Sequence, residues 1–147
     1  MAAGDLTVFE EFAVDIGKGV HDFTSDSLKL ALIDDTLAPT AADATPTWSD
    51  YSANEVSGTG YTAGGATLSG VTYTEADGVA TLDDTGNVTW SQNGAGPTDA
   101  YYAVLYNDDA ASDQAICFID LDGPVSLQDG DISVTWNASG ILTVTVS

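Results

Sequence analysis

The chain has 147 residues, and 23 acidic residues against two lysines and no arginine give it a formal net charge of -21. Binding to nucleic acid or to anionic lipid is therefore excluded, because both depend on Lys and Arg meeting phosphate groups. The hydrophobic fraction of 44% is that of a folded chain, and no apolar run approaches the ~20 residues that cross a bilayer. We expect one domain over residues 1–147, and the opening residues lack the basic flank and apolar run of a secretory signal.

One helix is predicted, over residues 8–21, after an N-terminal arm of residues 1–7. Thr7 is the expected N-cap, and Glu10 three residues later has the spacing of a capping box. Gly17 and Gly19 weaken the second half, so the helix should end near His21. Its apolar stripe recurs at three- and four-residue steps: Phe9, Phe12, Ala13, Ile16 and Val20.

The remainder reads as short strands separated by turn residues, with a long surface loop over residues 34–50. Two hairpins are expected, one through residues 83–87 and one that closes the chain through residues 137–140. The two strands that begin at Ala100 and Gln114 are almost continuously apolar, which predicts that both their faces are covered. This pattern predicts a mainly β fold, an antiparallel β-sandwich or jelly-roll-like barrel with one N-terminal helix. The predicted strands are residues 28–33, 66–68, 71–74, 79–82, 88–90, 100–106, 114–121, 132–136 and 142–146.

The residues that usually carry catalysis or bind metals form no convincing constellation. His21 is the single histidine and Cys117 the single cysteine, so the usual zinc ligand sets cannot be built. His21 is expected at the helix C-terminus, interacting with the helix dipole, and Cys117 as a buried, inert thiol. Acidic groups at residues 107–109, 120–123 and 129–131 lack the EF-hand spacing and coincide with expected turns. We therefore predict no catalytic residue, no metal site and no cofactor, and a structural protein rather than an enzyme.

Several aromatic residues fall in or near predicted loops and admit more than one interpretation. Trp48, Tyr51 and Tyr61 lie in or beside the long loop region, and Trp90 precedes another loop. Such side chains serve as sugar platforms in carbohydrate-binding modules and are favoured at protein interfaces. Covering the rim of the core is the simpler alternative, and the sequence leaves these possibilities open.

Five segments, taken in order, resemble a family of small virion proteins of tailed bacteriophages. No single segment is specific, but together they span nearly the whole chain. They are residues 11–23 with 25–32, the glycine-rich residues 58–65, the aromatic strand 102–108, the Asp-Gly turn of residues 127–132, and the closing residues 140–144.

The resemblance implies a capsid decoration, or cement, protein on the outer surface of the phage head, made in the cytoplasm of the bacterial host. Such a protein binds the major capsid protein, commonly as a homotrimer, and stabilises the contacts between capsid subunits. Under this hypothesis the arm and the long loop make contacts, residues 58–65 lie at a subunit seam, and neither nucleic acid nor a membrane is a partner. The interface residues it suggests are Met1, Ala2, Ala3, Gly4, Asp5, Leu6, Thr7, Trp48, Tyr51 and Tyr61.

Two other functions remain open on the sequence. A tail, baseplate or fibre-tip protein would associate with phage tails and recognise cells or glycans. A carbohydrate-binding β-sandwich module would bind glycans as an isolated protein and would not attach to particles.

Overall fold

The computed structural model describes residues 6–147, and strands account for most of the regular structure in this range. The prediction of a mainly β fold with antiparallel sheets is confirmed, and the arrangement is consistent with a β-sandwich. The strands are β1 (Leu6–Val8), β2 (Leu28–Ile33), β3 (Ala66–Thr67), β4 (Val71–Ala76), β5 (Val79–Asp84), β6 (Val88–Trp90), β7 (Ala100–Asn107), β8 (Ala115–Val125), β9 (Ile132–Val134) and β10 (Leu142–Thr145). The helices are α1 (Phe12–Lys18), α2 (Trp48–Tyr51) and a 3₁₀ turn (Ser52–Asn54).

A five-stranded antiparallel sheet in the order β1-β8-β7-β2-β3 is the largest sheet among the described residues. Alternate side chains of β7 go to opposite faces, so Leu105 joins one hydrophobic cluster while Val104 and Tyr106 join another. Both faces of the central strands are therefore covered, as the continuous apolar sequences predicted. The larger cluster also takes residues from the two smaller sheets, β10-β5-β4 and β6-β9.

The N-terminal helix is shorter than predicted, and its start is a correction. Thr7 does not cap a helix, because it pairs with Phe118 as part of strand β1. The chain then turns at Phe9, whose carbonyl accepts the Phe12 N–H at 3.1 Å, and only there does α1 begin. Pairing with β8 satisfies backbone hydrogen-bonding groups of residues 6–8. A helix beginning at residue 8 would leave its first N–H groups without these partners. Gly19, in the left-handed conformation with φ 69°, ends the helix two residues before His21.

Neither predicted hairpin forms, although the strands themselves do. β5 pairs with β4 and β10, and β6 pairs with β9, so residues 83–87 and 137–140 carry the chain between sheets. The hairpin that does form joins β4 to β5 through Asp77 and Gly78, both with positive φ (52° and 82°). An Asp-Gly pair is a strong signal for this tight turn, because both positions need the left-handed region.

The end of the long loop is bound to the main sheet. Trp48 begins α2, and its N–H donates to the Asp113 carbonyl at 2.9 Å. The Ala115 N–H donates to the Pro46 carbonyl, also at 2.9 Å. The Asp50 carboxylate accepts hydrogen bonds from both the N–H and the hydroxyl of Thr47 at 2.8 Å, which fixes the entry to α2.

A buried carboxylate connects the smaller sheets. Asp84, at the end of β5, is 5% exposed and accepts hydrogen bonds from the backbone N–H groups of Gly70 and Gly86 at 2.8 and 3.3 Å. Its second oxygen accepts the indole N–H of Trp136 at 3.2 Å. One side chain thus satisfies three donors from three chain segments.

Replacing this carboxylate should be costly. Asp84→Ala leaves the three donors without their acceptor, and we expect the free energy of unfolding to fall by about 2–4 kcal/mol. Asp35→Ala, at an exposed acid, removes the same charge and should change it by less than about 0.5 kcal/mol. Urea unfolding followed by tryptophan fluorescence measures both; equal midpoints for the two variants would contradict the role given to Asp84.

Candidate functional site

The aromatic residues of the predicted interface are held by contacts within the chain. The Trp48 ring stacks on Tyr106 with centroids 5.0 Å apart and planes 4° from parallel. Tyr51 is 1% exposed and packs against Phe9, with ring centroids 6.0 Å apart. One face of Trp48 is thus occupied and the Tyr51 ring is buried. Their role at an interface stays a prediction.

Tyr61 has a structural position at the edge of the five-stranded sheet. Strand β3 pairs with only the first part of β2, and beyond it the Tyr61 hydroxyl accepts the Leu32 N–H at 2.9 Å. The same hydroxyl donates to the Glu55 carboxylate at 2.8 Å, which also accepts the Gly64 N–H at 2.7 Å. Burial, reinforced by the hydrogen bond to Glu55, raises the pKa of Tyr61 far above its usual value, so the hydroxyl keeps its proton. The network fills the gap along β2 between its pairing with β3 and the antiparallel bridge between Ile33 and Glu55.

The glycine-rich residues 58–65 pack against their own chain. A Cβ at Gly65 would lie 2.1 Å from the Leu30 carbonyl oxygen, and one at Gly58 would lie 2.6 Å from the Gly96 carbonyl carbon. The Tyr106 hydroxyl donates to the Gly64 carbonyl at 2.7 Å. The small residues are required by these close approaches within the chain, and a subunit seam here stays a prediction.

The predicted N-terminal contact arm divides into two parts. Met1, Ala2, Ala3, Gly4 and Asp5 lie outside the described residues. Leu6 and Thr7 belong to β1, an edge strand, and pair with Ile119 and Phe118. Their role at an interface stays a prediction.

A shallow cleft of about 220 Å³ lies where the long loop meets α2. The Tyr51 hydroxyl donates to Asp43 at its wall, at 2.7 Å. Burial acts to raise the pKa of Asp43, but hydrogen bonds from Thr40 and Tyr51 outweigh it and hold the pKa below its usual value. Leu37, 43% exposed, lies on the rim. The cleft is acidic and small, and it contains no nucleophile with an adjacent base.

A second, apolar groove of about 290 Å³ runs between α1 and β10. Phe12, Ile16 and Val144 line it, and Val14 on the same helix is 44% exposed.

The two residues considered for catalysis are both buried. Cys117 is fully buried, as predicted, and burial raises the pKa of its thiol well above the usual value, which keeps it unreactive. His21 does not end the helix. Its side chain is fully buried, with its ring stacked on Phe12 and Phe23 at centroid distances of 5.7 and 5.3 Å.

Each acidic group considered for calcium has a carboxylate that is already hydrogen-bonded or ion-paired within the chain. Asp131 accepts the Gln92 N–H at 2.7 Å, Asp120 accepts the Asp122 N–H at 2.9 Å, and Asp108 pairs with Lys29 at 2.9 Å. Within residues 6–147, no three His, Cys, Asp or Glu side chains are grouped so that they could hold a metal ion.

Comparisons with known proteins identify no relative. No protein-family model matches the sequence, and neither a curated protein nor a solved structure is significantly similar to it. In the part of the chain that the structure describes, no helix combines the length and apolar character needed to span a membrane.

The structural role of Tyr61 can be separated from any role in binding. Tyr61→Phe leaves the Leu32 N–H buried without its acceptor, and we expect a loss of about 1–3 kcal/mol in the free energy of unfolding. Tyr101→Phe, at a half-buried tyrosine outside this network, should lose less than about 0.5 kcal/mol. Urea titrations of the two variants measure the difference, and a stable Tyr61→Phe would refute the network.

Proposed function

We propose that this chain is a structural subunit of a tailed-bacteriophage particle, and specifically a capsid decoration protein that binds the outside of the head. The observation that carries the proposal is the series of five sequence segments in the family's order. No single segment supports it alone. Their order over almost the full length of the chain does.

The contacts among these segments in the fold add support. Asn107, in the aromatic segment, bonds to His21 and Asp26 of the opening segments at 3.1 and 2.7 Å. Its neighbour Tyr106 bonds to Gly64 of the glycine-rich segment. Because these segments contact each other in the folded chain, the fold constrains their sequences jointly. Finding all of them in the family's order therefore favours a shared fold over a chance resemblance.

The charge distribution suggests how such a protein would bind. Both lysines have acidic neighbours: Lys18 lies 3.7 Å from Glu11, and Lys29 lies 2.9 Å from Asp108. The large excess of carboxylates therefore dominates the surface. A basic rim on the capsid would attract it, and the attraction would be screened by salt.

The proposed mechanism is a clamp across capsid joints. A protein that binds only the expanded lattice stabilises that state by mass action. Weak individual contacts are sufficient when an oligomer engages several capsid subunits at once, because each later contact forms at high effective concentration. A homotrimer on the major capsid protein fits this mechanism.

Location on the particle tests the proposal most directly. Immunogold electron microscopy of purified virions, with an antibody against this chain, should label heads over their whole surface. Label confined to tails would replace the decoration role by a tail or baseplate role. If particles carry no label, the phage assignment fails and glycan binding by the isolated protein becomes the alternative to measure.

The contact arm can be tested with a deletion that respects strand β1. Removing Met1–Asp5 should abolish co-sedimentation with heads that lack this protein, without changing the midpoint of thermal unfolding. Removing residues 1–7 should lower that midpoint as well, because it takes Leu6 and Thr7 from the sheet. Unchanged head binding by the shorter deletion would refute the arm.

Salt provides an independent measurement on the full-length protein. If the acidic surface meets a basic rim, raising the ionic strength from about 0.05 to about 0.5 M should weaken head binding at least tenfold. Affinity that is constant over this range would show that binding is apolar instead.

A further inference from the structure

The buried amide of Asn107 holds the single histidine in one protonation state. Asn107 is fully buried, and its side-chain oxygen accepts the backbone N–H groups of Asp109 and Ala110 at 3.0 and 3.2 Å. Its side-chain nitrogen donates to the Asp26 carboxylate at 2.7 Å and lies 3.1 Å from His21 Nδ1. A flipped amide would lose its two hydrogen bonds from Asp109 and Ala110. It would also place its oxygen next to the Asp26 carboxylate, which repels it.

The orientation of this amide determines the tautomer of His21. An amide nitrogen only donates, so Nδ1 has to accept and the ring proton has to be on Nε2. Nε2 is buried and has no hydrogen-bond partner within residues 6–147, and Asp15 Oδ2 lies 4.0 Å from it. A second proton could be added only at Nδ1, where it would face the N–H groups of Asn107.

We propose that His21 and Asn107 form an acid-sensitive lock, which fastens the segment after α1 to the β7–β8 turn while the imidazole is neutral and releases it on protonation. The lock joins two parts of the chain: the segment between α1 and β2, which carries His21 and Asp26, and the end of β7, which carries Asn107. The same segment and turn also meet at Ser27, whose N–H donates to the Asp109 carboxylate at 2.7 Å.

The charged groups around the ring act in opposite directions. Burial lowers the pKa of His21 below 6.5, and the carboxylates of Asp15 and Asp26 raise it less than burial lowers it. Burial also raises the pKa of Asp15, whose own neighbours are His21, Glu11 and Lys18. Three other acids of the segment and the turn have partners of their own: Asp22 with Thr24, Asp108 with Lys29, and Asp109 with Ser27. Asp113 is the further acid in the turn. From β4, Tyr73 packs edge-on against Phe23, the ring on which His21 stacks.

The direction of the pH effect follows from the lowered pKa. Between the folded-state pKa and 6.5, the unfolded chain binds more protons at this site than the folded chain. The stabilisation is therefore complete above pH 6.5 and declines as the pH falls through that window. Over the window, the unfolding equilibrium constant should rise by up to tenfold per pH unit.

The single histidine allows a direct test by NMR on the unmodified protein. At pH 8 the ¹⁵N shifts should show the Nε2–H tautomer, and the ring should titrate with a midpoint below 6.5. The amide signals of Asp109 and Ala110 should move with the same midpoint, because both donate to Asn107. The Nδ1–H tautomer, a midpoint at or above 6.5, or amides that stay fixed while the ring titrates would each overturn the proposal.

A variant isolates the lock from the other carboxylates. His21→Gln cannot titrate, although its side-chain oxygen can accept from Asn107, so its urea midpoint should lose the decline between pH 7 and 5 that the wild type shows. Asp35→Asn, at an exposed acid, should keep the wild-type decline. A decline of equal size in His21→Gln would assign the effect to carboxylates. If His21→Gln does not fold, the wild-type NMR titration decides the proposal by itself.

Discussion

The requirement to cover both faces of β2, β7 and β8 organises the rest of the molecule. Most of β2 and β7 and the first half of β8 (residues 115–119) are buried, so each face needs its own layer. One face receives the two smaller sheets together with α1. On the other face, Phe9, Tyr51 and Phe118 form a smaller cluster, to which the end of the long loop contributes Trp48. The turn at Phe9, the short helix α2 and the stacked Trp48 are therefore all consequences of one buried sheet.

Side-chain hydrogen bonds satisfy backbone donors at the edges and ends of the strands, where ladder pairing is interrupted. The Tyr61 hydroxyl continues β2 beyond β3, and Asp84 and Asn107 satisfy donors at the ends of β5 and β7. Each of these three groups is surrounded by protein, where an unpaired donor or acceptor is expensive. Polar residues at the ends of apolar strands thus have structural roles here. The sequence around them is rich in Asp, Gly and Asn, so it looks the same as an ordinary turn and does not reveal these roles.

The sequence predicted the strands well and their pairing poorly. β2 matches its predicted range because an apolar run between polar turns is a local signal. Pairing depends on contacts far apart in the chain, which is why the hairpins through residues 83–87 and 137–140 were wrong. The Asp77-Gly78 turn was available as a signal and was overlooked. The start of α1 was misassigned because Phe9 has helical spacing but is buried by Tyr51 and Phe118, residues that lie far along the chain.

The candidate site was harder to predict from the sequence than the fold, for a related reason. Exposure and hydrogen bonding decide what Tyr51, Tyr61 and His21 do, and both depend on tertiary packing. The sequence pattern placed the aromatic residues near loops. It could not show that the Tyr51 ring is covered or that the Tyr61 hydroxyl bonds to the edge of a strand. His21 was assigned to a helix end because Gly19 was predicted only to weaken the helix, whereas Gly19 adopts the left-handed conformation and ends α1 there.

The composition of ionisable residues makes the buried histidine important for any response to pH. Burial raises the pKa of the Cys117 thiol well above its usual value, so this thiol stays protonated near neutral pH. Histidine is the side chain whose ordinary pKa lies between pH 5 and 8, and the chain has one. His21 is therefore the side chain best placed to respond to pH in that range, and the Asn107 amide determines where the added proton would go. In a protein of charge -21, protonating His21 scarcely alters the long-range field. Its effect is local, on the junction between α1, the segment that follows it and the β7–β8 turn.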